Sequence, residues 1–260
     1  MPLHLGEAIL LCLTAVLAGT LNAVAGGGTF ISFPVLLFTG IPPIEANATN
    51  TVALWPGLGA SSLAYLKLLN MPRRILLPLL VTSVIGGLAG ALLLLKTPQH
   101  TFLHLIPWLL LSGTLLFTFG NRIREIAGAS SAGVDLENTS WQAVVAVSGF
   151  EFLVGVYGGY FGAGIGFLAL GMLAALGMRD IHAINAVRTL LAAVINISAV
   201  ATFIVARAVF WPQCLVMMAG ALLGGWFGAH YIQKADPQKV RYGVIALGFA
   251  MSAYFFITTG

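Results

Sequence analysis

Residues 19–38 read GTLNAVAGGGTFISFPVLLF: the end of a long apolar run, three consecutive glycines, then a short apolar run. Residues 155–174, GVYGGYFGAGIGFLALGMLA, repeat that layout 136 positions later, so Gly19, Gly26 and Gly28 fall on Gly155, Gly162 and Gly164. Two further blocks keep nearly the same spacing. At 135, Ala48 and Asn50 fall on Ala183 and Asn185. At 138, Gly86-Gly87, Gly90-Ala91 and Lys96 fall on Gly224-Gly225, Gly228-Ala229 and Lys234. Three blocks within three residues of one offset indicate an internal duplication.

Composition names the solvent. The 260 residues include 12 Lys and Arg and 8 Asp and Glu, a charged fraction of 8% against 59% apolar residues, and the mean hydropathy is +0.97. A soluble domain carries roughly 25% charged residues and 45–50% apolar ones. So few charges cannot cover a water-facing surface, which excludes a soluble enzyme and a disordered chain. The pI near 9.3 does not indicate nucleic-acid binding, because the basic residues sit in pairs between apolar runs instead of clustering on one face. Cys12 and Cys214 lie inside apolar runs without a CxxC or His/Cys cluster. Inert thiols are expected, with no disulfide, metal or cofactor motif. The chain is expected to be an all-α polytopic protein of the lipid bilayer.

A spanning helix needs about 20 apolar residues. The candidates are 6–25, 46–69, 72–95, 99–119, 141–161, 181–205, 209–233 and 239–258. Ala23-Val24-Ala25 resembles a leader cleavage site, but only His4 and Glu7 flank the first run. A basic n-region is missing, and 6–25 is read as a retained span. The runs 29–39 and 165–176 are too short to span comfortably and fit glycine-broken half-helices or re-entrant segments. The polar stretch 120–140 is read as a cytoplasmic linker between a first repeat, 1–119, and a second, 141–260.

Charge then orients the chain. If each short run reverses direction, Lys67, Arg73, Arg74, Arg122, Arg124, Arg179, Lys234, Lys239 and Arg241 share one side, leaving Lys96 and Arg207 on the other. The positive-inside rule makes the first side cytoplasmic, with both termini outside and the repeats inverted. Inverted repeats carrying broken helices are a transporter signature.

Charges at depth are costly and mark function. Arg188 lies about seven residues inside its span, and Glu151 is the other charge within an apolar run. Arg188 fits an anionic substrate held by a guanidinium fork, or else a structural pair with Glu151. Glu151 is also readable, as the weaker alternative, as a proton-coupling group. Exposed N–H groups at the start of a half-helix favour an anion, so Gly26, Gly27, Gly28, Thr29, Gly162 and Gly164 join the expected binding set. Two such half-helices are expected to serve one central site. Asn22, Asn50 and Asn185 can donate to an oxyanion or glue helices together, and Tyr157 beside the second glycine cluster can donate or pack. Asn196 and Tyr160 are weaker candidates. His100, His104 and His182 sit at span boundaries.

The chain resembles the TauE/SafE family of sulfite exporters and sulfonate permeases. The resembling residues are Ala18-Gly19, Asn22, Ala25-Gly26-Gly27-Gly28, Pro34, Gly40, Pro43 and Thr49-Asn50. In the second half they are Gly155, Gly158-Gly159, Gly162-Ala163-Gly164, Gly166, Gly177 and Asn185-Ala186-Val187-Arg188. The resemblance implies a secondary transporter of small sulfur-containing anions in a bacterial inner membrane, with proton coupling and a homodimer as options. Arg188 stands where the family often carries Lys, which keeps the charge but changes the donor geometry. A passive anion channel is the alternative. An intramembrane protease lacks its motifs here, with no GxSG, GxGD or HExxH, and an ATP-driven pump would need GxxxxGK[ST].

Overall fold

The computed structural model describes residues 3–24, 27–129, 139–178, 180–231 and 237–259, and it is helical throughout. The helices are α1 (Leu5–Val24), α2 (Thr29–Phe38), α3 (Pro43–Tyr65), α4 (Arg73–Lys96), α5 (Gln99–Ala129), α6 (Trp141–Tyr160), α7 (Ile165–Ala175), α8 (Ile181–Val205), α9 (Trp211–Tyr231) and α10 (Pro237–Thr259). A short 3-10 turn, Leu66–Leu68, follows α3. Both halves therefore run long, short, long, long, long. Of the residues singled out by sequence, Ala25, Gly26, Arg179 and Lys234 lie outside the described set. The stretch read as a linker begins as helix, since α5 continues to Ala129.

Local chemistry sets the ends. Ser140 caps α6 by accepting from the Ala143 amide, as an N-cap serine does. The α2–α3 corner turns on Gly40 at φ +80 and restarts with Pro43 as the first helical residue, the position where proline is favoured. α7 ends at Gly177, φ +86, where the Met178 amide bonds the Leu173 carbonyl. α8 closes the same way on Arg207, φ 55, with Ala208 bonding Phe203. Both are the six-to-one closure of a Schellman cap.

Among the described residues six helices, α1, α4, α5, α6, α8 and α10, contain stretches long and apolar enough to cross a membrane. α3 falls short because Asn47, Thr49, Asn50, Thr51, Ser61 and Ser62 interrupt it. Outward faces are apolar too: Leu13, Leu17, Ile85, Leu93, Val145, Leu153 and Ile257 are all exposed. Such a surface suits hydrocarbon and not water.

The helices divide into two compact units: residues Met1–Gly57, Leu95–Thr114 and Phe203–Gly260, and residues Leu58–Leu94 and Leu115–Thr202. Each unit joins a glycine hairpin from one half of the sequence to the fourth helix of the other half. In the first unit α1 crosses α9 with backbones in contact. A Cβ on Gly19 would overlap the Ala221 carbonyl oxygen, one on Gly224 would overlap that of Val16, and Thr20 Oγ1 donates to the Gly224 carbonyl at 2.9 Å. In the second unit α4 crosses α6. A Cβ on Gly86 would meet the Phe152 carbonyl oxygen at 2.6 Å, and Cβ atoms on Gly90 and Gly159 would overlap the Val156 and Gly87 carbonyls. Gly86 and Gly224 are 138 apart and Phe152 and Val16 are 136 apart, so both units contain the same contact. Without a hydrophobic force between helices in lipid, this closeness is what holds them.

Candidate functional site

The second glycine turn is built around Tyr157. Its carbonyl accepts from the Phe161 and Gly162 amides, closing α6. Its hydroxyl donates to the Ala163 carbonyl at 2.8 Å, so the phenol hydrogen that sequence offered to a substrate fixes the turn instead. Gly162 and Gly164 take φ of +83 and +84, values an L side chain adopts only with strain. The chain then enters α7, with the Phe167 amide bonded to the Gly164 carbonyl. Among the described residues the Ile165 and Gly166 amides have no hydrogen-bond partner. They are the orphan donors of a helix N-terminus.

Arg188 covers that opening. A Cβ on Gly166 would lie 3.5 Å from Arg188 Nη1, 3.7 Å from Cδ and 3.9 Å from Cζ. The guanidinium therefore rests on the first turn of α7, and the glycine leaves room beside it. Among the described residues Arg188 has neither an ion pair nor a hydrogen bond. Asn185 precedes Arg188 by three residues on α8, one turn along the same face. A fixed cation, free amides and the positive end of a helix dipole converge, and each favours an anion. A spherical metal cation would be repelled here.

The first glycine turn is built differently. Gly28 is right-handed, φ −56 and ψ −30, and its amide donates to Asn22 Oδ1 at 2.7 Å. The Phe30 amide bonds the Gly27 carbonyl, Ile31 and Ser32 bond that of Gly28, and Ser32 Oγ donates to the same oxygen. The start of α2 is thus largely satisfied from within, leaving Thr29 as its open amide among the described residues. Asn22, Gly27, Gly28, Thr29 and Asn50 belong to the first unit; Arg188, Asn185, Tyr157, Gly162, Gly164 and Glu151 belong to the second. Asn50 is 2% exposed and its Oδ1 lacks a hydrogen bond, whereas Asn196 donates to the Ala192 carbonyl of its own helix.

Glu151 does not pair with Arg188. It is fully buried and accepts one bond, 2.6 Å, from Ser83 Oγ to Oε1. Among the described residues Oε2 has no hydrogen-bond partner, nor does Ser148 Oγ one turn earlier. Sequence reasoning missed Ser83 and Ser148. A signal for the first existed: Ser83 lies three, four and seven residues before Gly86, Gly87 and Gly90, on the helix face those glycines define.

A protein-family profile described as Sulfite exporter TauE/SafE matches residues 11–255. The chain belongs to this family. Its TauE/SafE relatives include a Haemophilus influenzae "Probable membrane transporter protein", 30% identical over 247 residues, covering 95% of this chain and 92% of the relative. A Sinorhizobium "Probable membrane transporter protein ORF9" is 27% identical, with 93% and 89% covered. The "Probable membrane transporter protein YfcA" of Escherichia coli K12 is 27% identical, with 97% and 89% covered. No solved structure matches the chain. With its apolar helices, this TauE/SafE protein is a multi-pass membrane transporter.

Proposed function

We propose that the protein is a secondary transporter of small sulfur-containing anions, sulfite or an organosulfonate, across a bacterial inner membrane. The observation that carries the reading is the unpaired Arg188 guanidinium lying on the open N-terminus of α7. Arg188 and the Ile165 and Gly166 amides bind the anion's oxygens, Asn185 adds a donor from the same face of α8, and Tyr157 with Gly162 and Gly164 holds the turn. A charge-assisted hydrogen bond contributes about 1.5–3 kcal/mol, so two or three give micromolar to millimolar affinity after the costs of binding. Asn22, Gly27, Gly28, Thr29 and Asn50 are the proposed substrate-binding residues of the first unit, through Asn22 Nδ2, the Thr29 amide and the Asn50 amide. Glu151 is the proton-coupling group. A buried acid next to no cation suits coupled transport better than a passive channel, which has no use for one. The repeats are inverted, and both termini lie outside.

Thermal unfolding of the purified protein tests the site. Sulfite, thiosulfate or a small sulfonate raises the midpoint with a dependence on concentration, and Arg188→Ala loses the shift while keeping its own cooperative transition. Equal shifts with Arg188→Ala, or none with any sulfur anion, contradict the reading.

A further inference from the structure

The two matched helix crossings differ in one respect. At the register where α1 and α9 carry Ala15 and Ala221, both buried, α6 and α4 carry Glu151 and Ser83. The spacings, 136 and 138, are those of the surrounding glycines. A carboxyl and a hydroxyl thus occupy one copy of a contact that is apolar in the other. Glu151 Oε1 takes the Ser83 hydrogen at 2.6 Å, while Oε2 and Ser148 Oγ, three residues apart on α6, have no partner among the described residues.

Among the described residues no ionic partner faces Glu151 from the helices around it. α4 has no titratable side chain between Ile75 and Leu95, and α7 has none at all. α8, whose Ile195 touches Gly87 and Gly158, offers exposed His182 and Arg188, which does not pair. α6 itself adds only Tyr157 and Tyr160. Arg74 lies over Trp141, ten residues from Glu151, which is about 15 Å along the helix. An ionised carboxylate in this place costs several kcal/mol unless water or a cation enters. Hard divalent metal ions take about six or more oxygens, and the side chains here offer one carboxyl and two hydroxyls. A proton needs one oxygen.

We propose that Glu151 is the binding site of the coupling proton, with Ser83 as its positioning residue, and that proton occupancy sets whether the α4–α6 crossing is closed. The proposal rests on the transporter reading above and adds to its proton-coupling group the helix crossing that the proton controls. Protonated, the carboxyl is neutral, accepts from Ser83, carries its hydrogen on Oε2, and the glycine backbones meet. When that proton passes to water, the carboxylate left behind draws water in and the contact loosens. The α1–α9 crossing, with alanines at this register, stays closed throughout.

Ser148→Cys places a thiol of similar size one helical turn before Glu151 on α6. In proteoliposomes, N-ethylmaleimide labelling read peptide by peptide by mass spectrometry separates it from Cys12 and Cys214. The expected result is protection at acidic pH and labelling several-fold faster at alkaline pH. Adding Glu151→Gln keeps the introduced thiol protected at both. Thiol ionisation is common to the two proteins, so their ratio at one pH isolates Glu151. A second arm needs no cysteine: Glu151→Gln retains exchange of labelled sulfite and loses accumulation driven by a proton gradient. The same pH response with and without Glu151→Gln, or full accumulation by Glu151→Gln, overturns the proposal. Labelling needs no substrate, so failure of sulfur anions to bind would strike the anion reading alone.

Discussion

Gly166→Ala separates folding from binding at the α7 turn. The new Cβ would meet Arg188 Nη1 at 3.5 Å, Cδ at 3.7 Å and Cζ at 3.9 Å, which is ordinary van der Waals contact and costs no backbone shift. Gly166 is helical, and exchanging glycine for alanine inside a helix stabilises it by up to about 1 kcal/mol. The folded protein is therefore unchanged or slightly more stable. Its anion site is not, because the methyl fills the space between the guanidinium and the first-turn amides. Losing one charge-assisted hydrogen bond of about 1.5–3 kcal/mol weakens binding by roughly ten- to a hundredfold or somewhat more. Calorimetric titration with sulfite or a small sulfonate reads the affinity, and a thermal melt of the same sample reads stability. Wild-type affinity in Gly166→Ala would refute the placement of the anion between Arg188 and α7. A collapse in stability would refute the packing argument instead.

Other substitutions test other parts. Gly159→Ala forces its methyl into the Gly87 carbonyl oxygen, and overpacking of this kind costs about 1–3 kcal/mol; a melting temperature equal to wild type would show that the crossing is looser than described. Tyr157→Phe strips the 2.8 Å bond from the Ala163 carbonyl, so we expect about 1–2 kcal/mol of lost stability together with weaker anion binding, read in the same melt and titration. Asn22→Ala removes the 2.7 Å partner of the Gly28 amide and should cost about 1 kcal/mol, as cap removal does, while Asn22→Asp, which keeps an acceptor oxygen, should recover most of it.

Much of this was legible in the chain before any coordinates, for reasons specific to membranes. The expected spans 6–25, 72–95, 141–161 and 181–205 correspond to α1, α4, α6 and α8 within a residue or two, because hydrocarbon tolerates little besides an apolar helix. The short runs 29–39 and 165–176 correspond to α2 and α7. The pairing of helices was harder. Any apolar face packs acceptably on another in sequence terms, so nothing but the glycine faces hinted that α4 meets α6 and α9 meets α1. The duplication also concealed a difference. Two glycine clusters in register suggested two equivalent half-helix starts serving one site, yet Gly28 is right-handed and its amide is taken by Asn22, whereas Gly164 is left-handed and the amides after it are open. That difference depends on one side chain folding back six residues and on Arg188 reaching α7 from α8. Neither is a property of composition or period. The alternative of an Arg188–Glu151 pair likewise needed coordinates, since both lie within apolar runs and only packing decides whether they meet.

The central claim is that one unpaired cation on an open helix end selects and carries a sulfur oxyanion. Accumulation of labelled sulfite by proteoliposomes, compared among wild type, Arg188→Ala and Arg188→Lys at matched protein content, tests it most directly. Saturable uptake by wild type, none above empty vesicles with Arg188→Ala, and partial uptake with Arg188→Lys is the predicted result. Uptake by Arg188→Ala equal to wild type would contradict it.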